Sequence, residues 1–135
     1  MVSRVQRFVG VAVCALGFPL AVLAQSAPGQ VSGQEIESWF AADQMSVAGI
    51  SLMNGCHWIT NGPKERRYQS VHCLNQPPFT VTGEARVEGD RLCSKFTYPD
   101  GSRLDACQDI FRIGENKYEA RVNGVPRNIM YRLVR

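Results

Sequence analysis

The sequence predicts a mainly β fold of the α+β class: a short N-terminal helix packed on a six- to eight-stranded antiparallel meander, either a curled sheet or a small barrel. Three observations predict it. From Phe79 to Arg135 apolar and polar residues alternate with period two, the mark of half-buried strands. Four turn signals punctuate that stretch: Glu88-Gly89-Asp90, Pro99-Asp100-Gly101, Gly114-Glu115-Asn116 and Asn123-Gly124-Val125-Pro126. Ahead of it, Ile36, Trp39 and Phe40 recur at i, i+3 and i+4, one apolar stripe of a helix.

Residues 1–24 read as a secretory signal peptide. Arg4 and Arg7 make a basic start, Phe8 to Leu23 is almost wholly apolar, and Val22-Leu23-Ala24 places small residues at a cleavage site, with Gln25 as the mature start. The apolar run falls short of the roughly 20 residues a spanning helix needs and is broken by Gly17 and Pro19, so no transmembrane segment is expected once the leader is gone. Cys14 follows Val13, a poor lipobox residue, and the apolar run continues past it.

Losing the leader changes the charge. The chain carries 15 basic and 12 acidic residues; without Arg4 and Arg7 the balance is 13 against 12, about +1. No basic stripe remains to release counterions from a nucleic acid, so nucleic-acid binding is excluded. The 111 residues from 25 to 135 suit one domain with a modest core. Cys14 also departs, leaving Cys56, Cys73, Cys93 and Cys107, an even number that implies two disulfides in an exported chain.

Residues 25–31, with Pro28 and Gly29, form a flexible lead-in to a domain spanning 32–135. Ser32-Gly33-Gln34-Glu35 fits a capping box opening the helix, which ends near Ala42. A strand follows over Val47 to Met53. Asn54-Gly55 signals a tight hairpin that sets Ile50 opposite Ile59. Arg66 to Cys73 is a further strand, stopped by Pro77-Pro78. If Trp58 faces Val71, Cys56 meets Cys73 and His57 meets His72.

The second half carries tighter registers. A Gly89-Asp90 turn pairs Val87 with Leu92, Ala85 with Ser94 and Gly83 with Phe96, whose ring covers the bare glycine. Pro99-Asp100-Gly101 closes a three-residue loop that sets Tyr98 opposite Ser102 and Phe96 opposite Leu104. On the outer face Lys95 then meets Asp105, Arg91 meets Asp109, and Cys93 meets Cys107 at a spacing suited to a bridge. Leu104 and Ala106 have the opposite parity to Phe111 and Ile113, so a bulge near Cys107 to Asp109 is expected to bring all four inside. Ile113 would then pair with Tyr118 and Phe111 with Ala120, and Ile129, Tyr131 and Leu133 of the last strand would face the same core. Phe96, Tyr98, Phe111, Tyr118 and Tyr131 thus all belong to the expected inner face.

Chemistry-bearing clusters are few. Cys56-His57 with His72-Cys73 invites a Cys2His2 zinc site, but strand neighbours point to opposite faces and oxidation removes the thiolates. The pairings expected are Cys56–Cys73 and Cys93–Cys107. His57 and His72 remain as metal candidates lacking a third ligand, so no metal or other cofactor is expected. Ser51 lacks the second glycine of a nucleophile elbow, and neither haem attachment spacing nor a phosphate loop is present. Lys64-Glu65-Arg66-Arg67 reads as a solvated hairpin tip, with a small anion-binding loop as its alternative.

Gly83-Glu84-Ala85, Gly89, Leu92-Cys93, Cys107, Phe111, Gly114 and Tyr118 together resemble a pattern in small secreted proteobacterial proteins of unknown function, with Ala85 where the pattern has tryptophan. The resemblance covers the C-terminal half. It implies a leader, a short helix and a cysteine-paired antiparallel sheet, and carries no activity with it.

Two functions fit. The first is a periplasmic or secreted, non-enzymatic binding module that engages a protein or envelope component by its loops and outer surface. The second is a carrier holding a small apolar ligand inside the barrel. The first is preferred, because 111 residues leave little interior once five aromatic rings are packed there. A metal-binding role through His57 and His72 ranks third.

Overall fold

A computed structural model of the chain describes residues 27–43 and 45–134; the leader expected at 1–24, with Cys14, lies outside them. Helix α1 (Gly33–Asp43) precedes eight strands: β1 (Val47–Ser51), β2 (His57–Asn61), β3 (Arg67–His72), β4 (Phe79–Glu88), β5 (Arg91–Thr97), β6 (Arg103–Gly114), β7 (Lys117–Val122) and β8 (Val125–Arg132). Each strand pairs antiparallel with the next, and β8 pairs with β1, so the meander closes into a barrel. Closure leaves no edge strand to template aggregation.

The Ser32 hydroxyl caps α1 by accepting from the Glu35 N–H at 3.1 Å, as the capping box requires. The Glu35 carboxylate departs from the box and pairs with Arg112 of β6. The stripe Ile36, Trp39 and Phe40 is buried and closes one end of the barrel. There it packs on Leu92, Ile110, Tyr118 and Met130, with the Trp39 and Tyr118 ring centroids 5.0 Å apart. Burying each of these side chains is worth about 2 kcal/mol, more than a helix of three turns gains from propensity alone. Gly33 lets α1 sit against the β4–β5 turn: a Cβ there would lie 1.8 Å from the Gly89 carbonyl oxygen. The Gly33 N–H donates to the Asp90 carboxylate at 2.8 Å, fixing the same contact.

The expected registers hold through the centre of the chain. Val87↔Leu92, Ala85↔Ser94, Gly83↔Phe96, Phe96↔Leu104, Lys95↔Asp105, Cys93↔Cys107 and Arg91↔Asp109 all occur, as do His57↔His72 and Trp58↔Val71. Both disulfides form as expected, Cys56–Cys73 and Cys93–Cys107, and they indicate an oxidising, non-cytoplasmic location. No described helix is long and apolar enough to cross a membrane.

Four expectations need correction. Ile50 pairs with His57, and Ala48 with Ile59, two residues from the expected register. The loop is wider than two residues because the Asn54 side-chain oxygen takes the Cys56 N–H at 3.0 Å, while the Gly55 N–H returns to the Ser51 carbonyl. Residues 27–31, expected within a flexible lead-in, instead dock on β6 where it outruns β5. The Val31 N–H donates to Ile110, the Arg112 N–H donates to Gly29, and Gln30 bridges Phe111.

The largest correction is parity at the end of β6 and along β8; the inward faces expected for Tyr118 and Ala120 of β7 hold. No bulge occurs at Cys107 to Asp109; the ladder is regular there, and the shifts fall between Arg112 and Gly114 and between Ala120 and Arg121. Ile110 pairs with Ala120, Phe111 with Glu119 and Arg112 with Tyr118. Ile110, Tyr118, Ala120 and Met130 therefore fill the core, whereas Ile113, Tyr131 and Leu133 are exposed and Phe111 is half-buried outside. Outer aromatics are tolerated because cations cover them: Arg121 lies 3.9 Å from the Phe111 ring centroid and Lys117 5.6 Å from that of Tyr131. Finally, Arg67 belongs to no solvated tip. It is buried inside the barrel, and Lys64 forms a 2.6 Å ion pair with Glu37 of α1 in place of an anion site.

Candidate ligand-binding cavity

With Phe111 and Tyr131 outside, the interior is not filled. A cavity of about 540 Å³ runs from α1 toward the opposite end of the barrel, where the 52–56, 73–78 and 98–102 loops lie. That volume falls within the range of small-molecule sites, roughly 300–1,000 Å³. Its size follows from the inward positions of β1, β4, β5 and β6: Ser51, Ala85, Ser94 and Ala106 carry too little bulk to meet across the bore. Larger side chains line the remainder, among them Trp58, Val71, Phe79, Leu92 and Phe96.

Glycines make room for two of those rings. A Cβ on Gly49 would lie 2.3 Å from the Trp58 ring, and one on Gly83 would lie 2.9 Å from Phe96. Each ring therefore packs against bare backbone. Phe40 and Met45 form the floor at the helix end. Leu52, Met53 and Leu74 stand exposed on the loops at the open end, Leu74 with 89% of its surface in solvent.

Several polar groups of the lining are hydrogen-bonded within the wall. Gln69 donates to Thr60 at 2.7 Å across β2 and β3, and the Trp58 indole N–H donates to Asn128 at 3.3 Å. Arg67, with 4% of its surface exposed, donates to the Gly62 carbonyl and lies 5.2 Å from the Phe40 ring centroid. A guanidinium keeps its proton even when buried, so it holds a fixed positive charge at the floor. Arg127 is the second cation of the lining, near the open end; among the described residues no aspartate or glutamate lines the cavity.

His57 and His72 lie opposite each other, and both are exposed. Among the described residues the one cluster of three metal-capable groups is Glu88, Cys93 and Cys107, whose cysteines are consumed by a disulfide. None of these groups lines the cavity. Arg67 and Arg127 were missed in the sequence for different reasons. The alternation Arg67, Gln69, Val71, Cys73 carries the signal for Arg67, since Cys73 faces inward. Nothing local marks Arg127. Comparison with protein-family models, with curated proteins and with solved structures found no match for this chain, so its function rests on what the cavity can hold.

Proposed function

We propose that the protein is an exported, non-enzymatic carrier that holds one small apolar molecule inside its barrel, in the periplasm or the surrounding medium. The supporting observation is the cavity of about 540 Å³, closed at one end by α1 and lined mainly by apolar side chains. A barrel that needed its interior only for stability would fill it, because an empty apolar volume costs dispersion contacts on every wall. The two disulfides suit an oxidising compartment and stiffen the wall on either side of the bore.

The alternative, a module that binds a protein or envelope component through its loops, is favoured by exposed Leu52, Met53 and Leu74. In the carrier these three form an apolar threshold through which a ligand enters. Native mass spectrometry of protein isolated from the oxidising compartment separates the readings. The carrier is expected to release a bound small molecule on activation in the gas phase. A protein that is uniformly empty, and that stays empty after exposure to an extract of apolar metabolites, would contradict it.

A further inference from the structure

We propose that the carried molecule ends in a carboxylate, and that Ser51, Asn54, Arg127 and Asn128 at the open end bind that headgroup. The inference rests on the carrier reading and specifies its ligand class.

The bulge in β8 builds this cluster. Ala120 pairs with Asn128 and Arg121 with Pro126, which leaves Arg127 as the extra residue. In a regular strand Arg127 and Asn128 would point to opposite faces. At the bulge both line the cavity. The neighbouring loop is tied to the same point: the Leu52 N–H donates to the Arg127 carbonyl at 2.8 Å, and Ser51 faces Asn128 in the β1–β8 register.

The hydrogen bonds already made decide what the cluster can bind. The Asn54 side-chain oxygen accepts from the Cys56 N–H at 3.0 Å, and the Asn128 side-chain oxygen accepts from the Trp58 indole at 3.3 Å. The Ser51 hydroxyl oxygen accepts from the Met53 N–H at 3.3 Å. What each side chain has left to offer is chiefly a proton: two amide N–H₂ groups and a hydroxyl. Arg127 adds five N–H donors and no acceptor, and its guanidinium makes no hydrogen bond or ion pair among the described residues. A set of donors beside a fixed positive charge, at the rim of an apolar bore with no acid among the described lining residues, favours an anion and repels a cation. The planar fork of arginine matches a carboxylate in particular. The apolar chain then extends toward Phe40, and the headgroup stays at the wet end of the bore, where its desolvation is smallest.

The test compares three probes with the same chain, dodecanoate, dodecanol and dodecyltrimethylammonium, titrated calorimetrically at pH 8. Dodecanoate is expected to bind about ten-fold or more tightly than dodecanol, the yield of one charge-assisted contact, with the ammonium weakest. Arg127→Gln should remove that preference by weakening dodecanoate far more than dodecanol, with an unchanged thermal midpoint reporting an intact fold. If R127Q does not fold, Asn54→Asp supplies the second variant: an acid placed in the cluster should weaken dodecanoate and spare dodecanol. Equal affinity for dodecanoate and dodecanol in the wild type would overturn the headgroup site and leave the carrier standing. Binding of none of the three would overturn both.

Discussion

Trp58 and Gly49 show how single residues set the bore. The indole occupies the space that a β-carbon on Gly49 would need, and its N–H is anchored on Asn128 over the intervening strand β1. Gly49→Ala should therefore destabilise the fold by about 1–3 kcal/mol, the usual effect of overpacking, and shift the Trp58 emission as the ring moves. Urea denaturation followed by fluorescence checks both. Asp100 offers a second residue-scale test. The Ser102 hydroxyl at 2.6 Å, then the Ser102 backbone N–H at 2.8 Å, hold its carboxyl below the ordinary value of 3.8. A depressed folded-state value means that ionised Asp100 favours the native turn above its unfolded pKa, and that this contribution is lost as pH falls through the folded value. NMR titration of the side-chain carboxyl should find it below 3.8, and Ser102→Ala should move it back toward that value.

At the scale of elements, the β5–β6 hairpin and helix α1 are the parts most open to perturbation. The Cys93–Cys107 bridge closes a segment of 14 residues. Replacing both cysteines by alanine should cost about 3 kcal/mol by loop entropy, read as a lower urea midpoint. Trp39→Ala should cost about 3–5 kcal/mol, because the buried ring fills the closed end against Tyr118 and its loss leaves a cavity there. These same elements were the most legible in the sequence. Pro99-Asp100-Gly101 specifies its own turn, Gly89 takes the positive φ its turn demands, and the Cys93 and Cys107 registers follow by counting from both. Strands β6 to β8 were not legible, for a physical reason. Period-two reading assumes that large apolar residues face inward, but Phe111 and Tyr131 are shielded outside by Arg121 and Lys117. With the rings counted inside, the β6–β7 register slipped by one residue, and the side chains at the end of β6 and along β8 were assigned to the wrong face while Tyr118 and Ala120 of β7 kept theirs.

The whole molecule inherits that error and its correction. Moving two aromatic rings from the bore to the outer wall turns a barrel expected to be full into one with a cavity of about 540 Å³, and it reverses the order of the two functional readings. The apolar lining and the closed end at Ile36, Trp39 and Phe40 follow from residues whose parity can be counted in the sequence. Arg127 could not be assigned to the cavity in this way, because its direction depends on a bulge that arises only when β7 and β8 are paired. The cavity is the central claim, and filling it tests that claim most directly. A neutral apolar fluorophore, N-phenyl-1-naphthylamine, is titrated into the wild type and into Ala106→Trp, whose indole would occupy the bore; Ser94→Leu serves in its place if the tryptophan variant unfolds. Saturable one-to-one binding by the wild type, lost in a variant that keeps its thermal midpoint, is the expected result. No binding by the wild type, or equal binding by the filled variant, would contradict it.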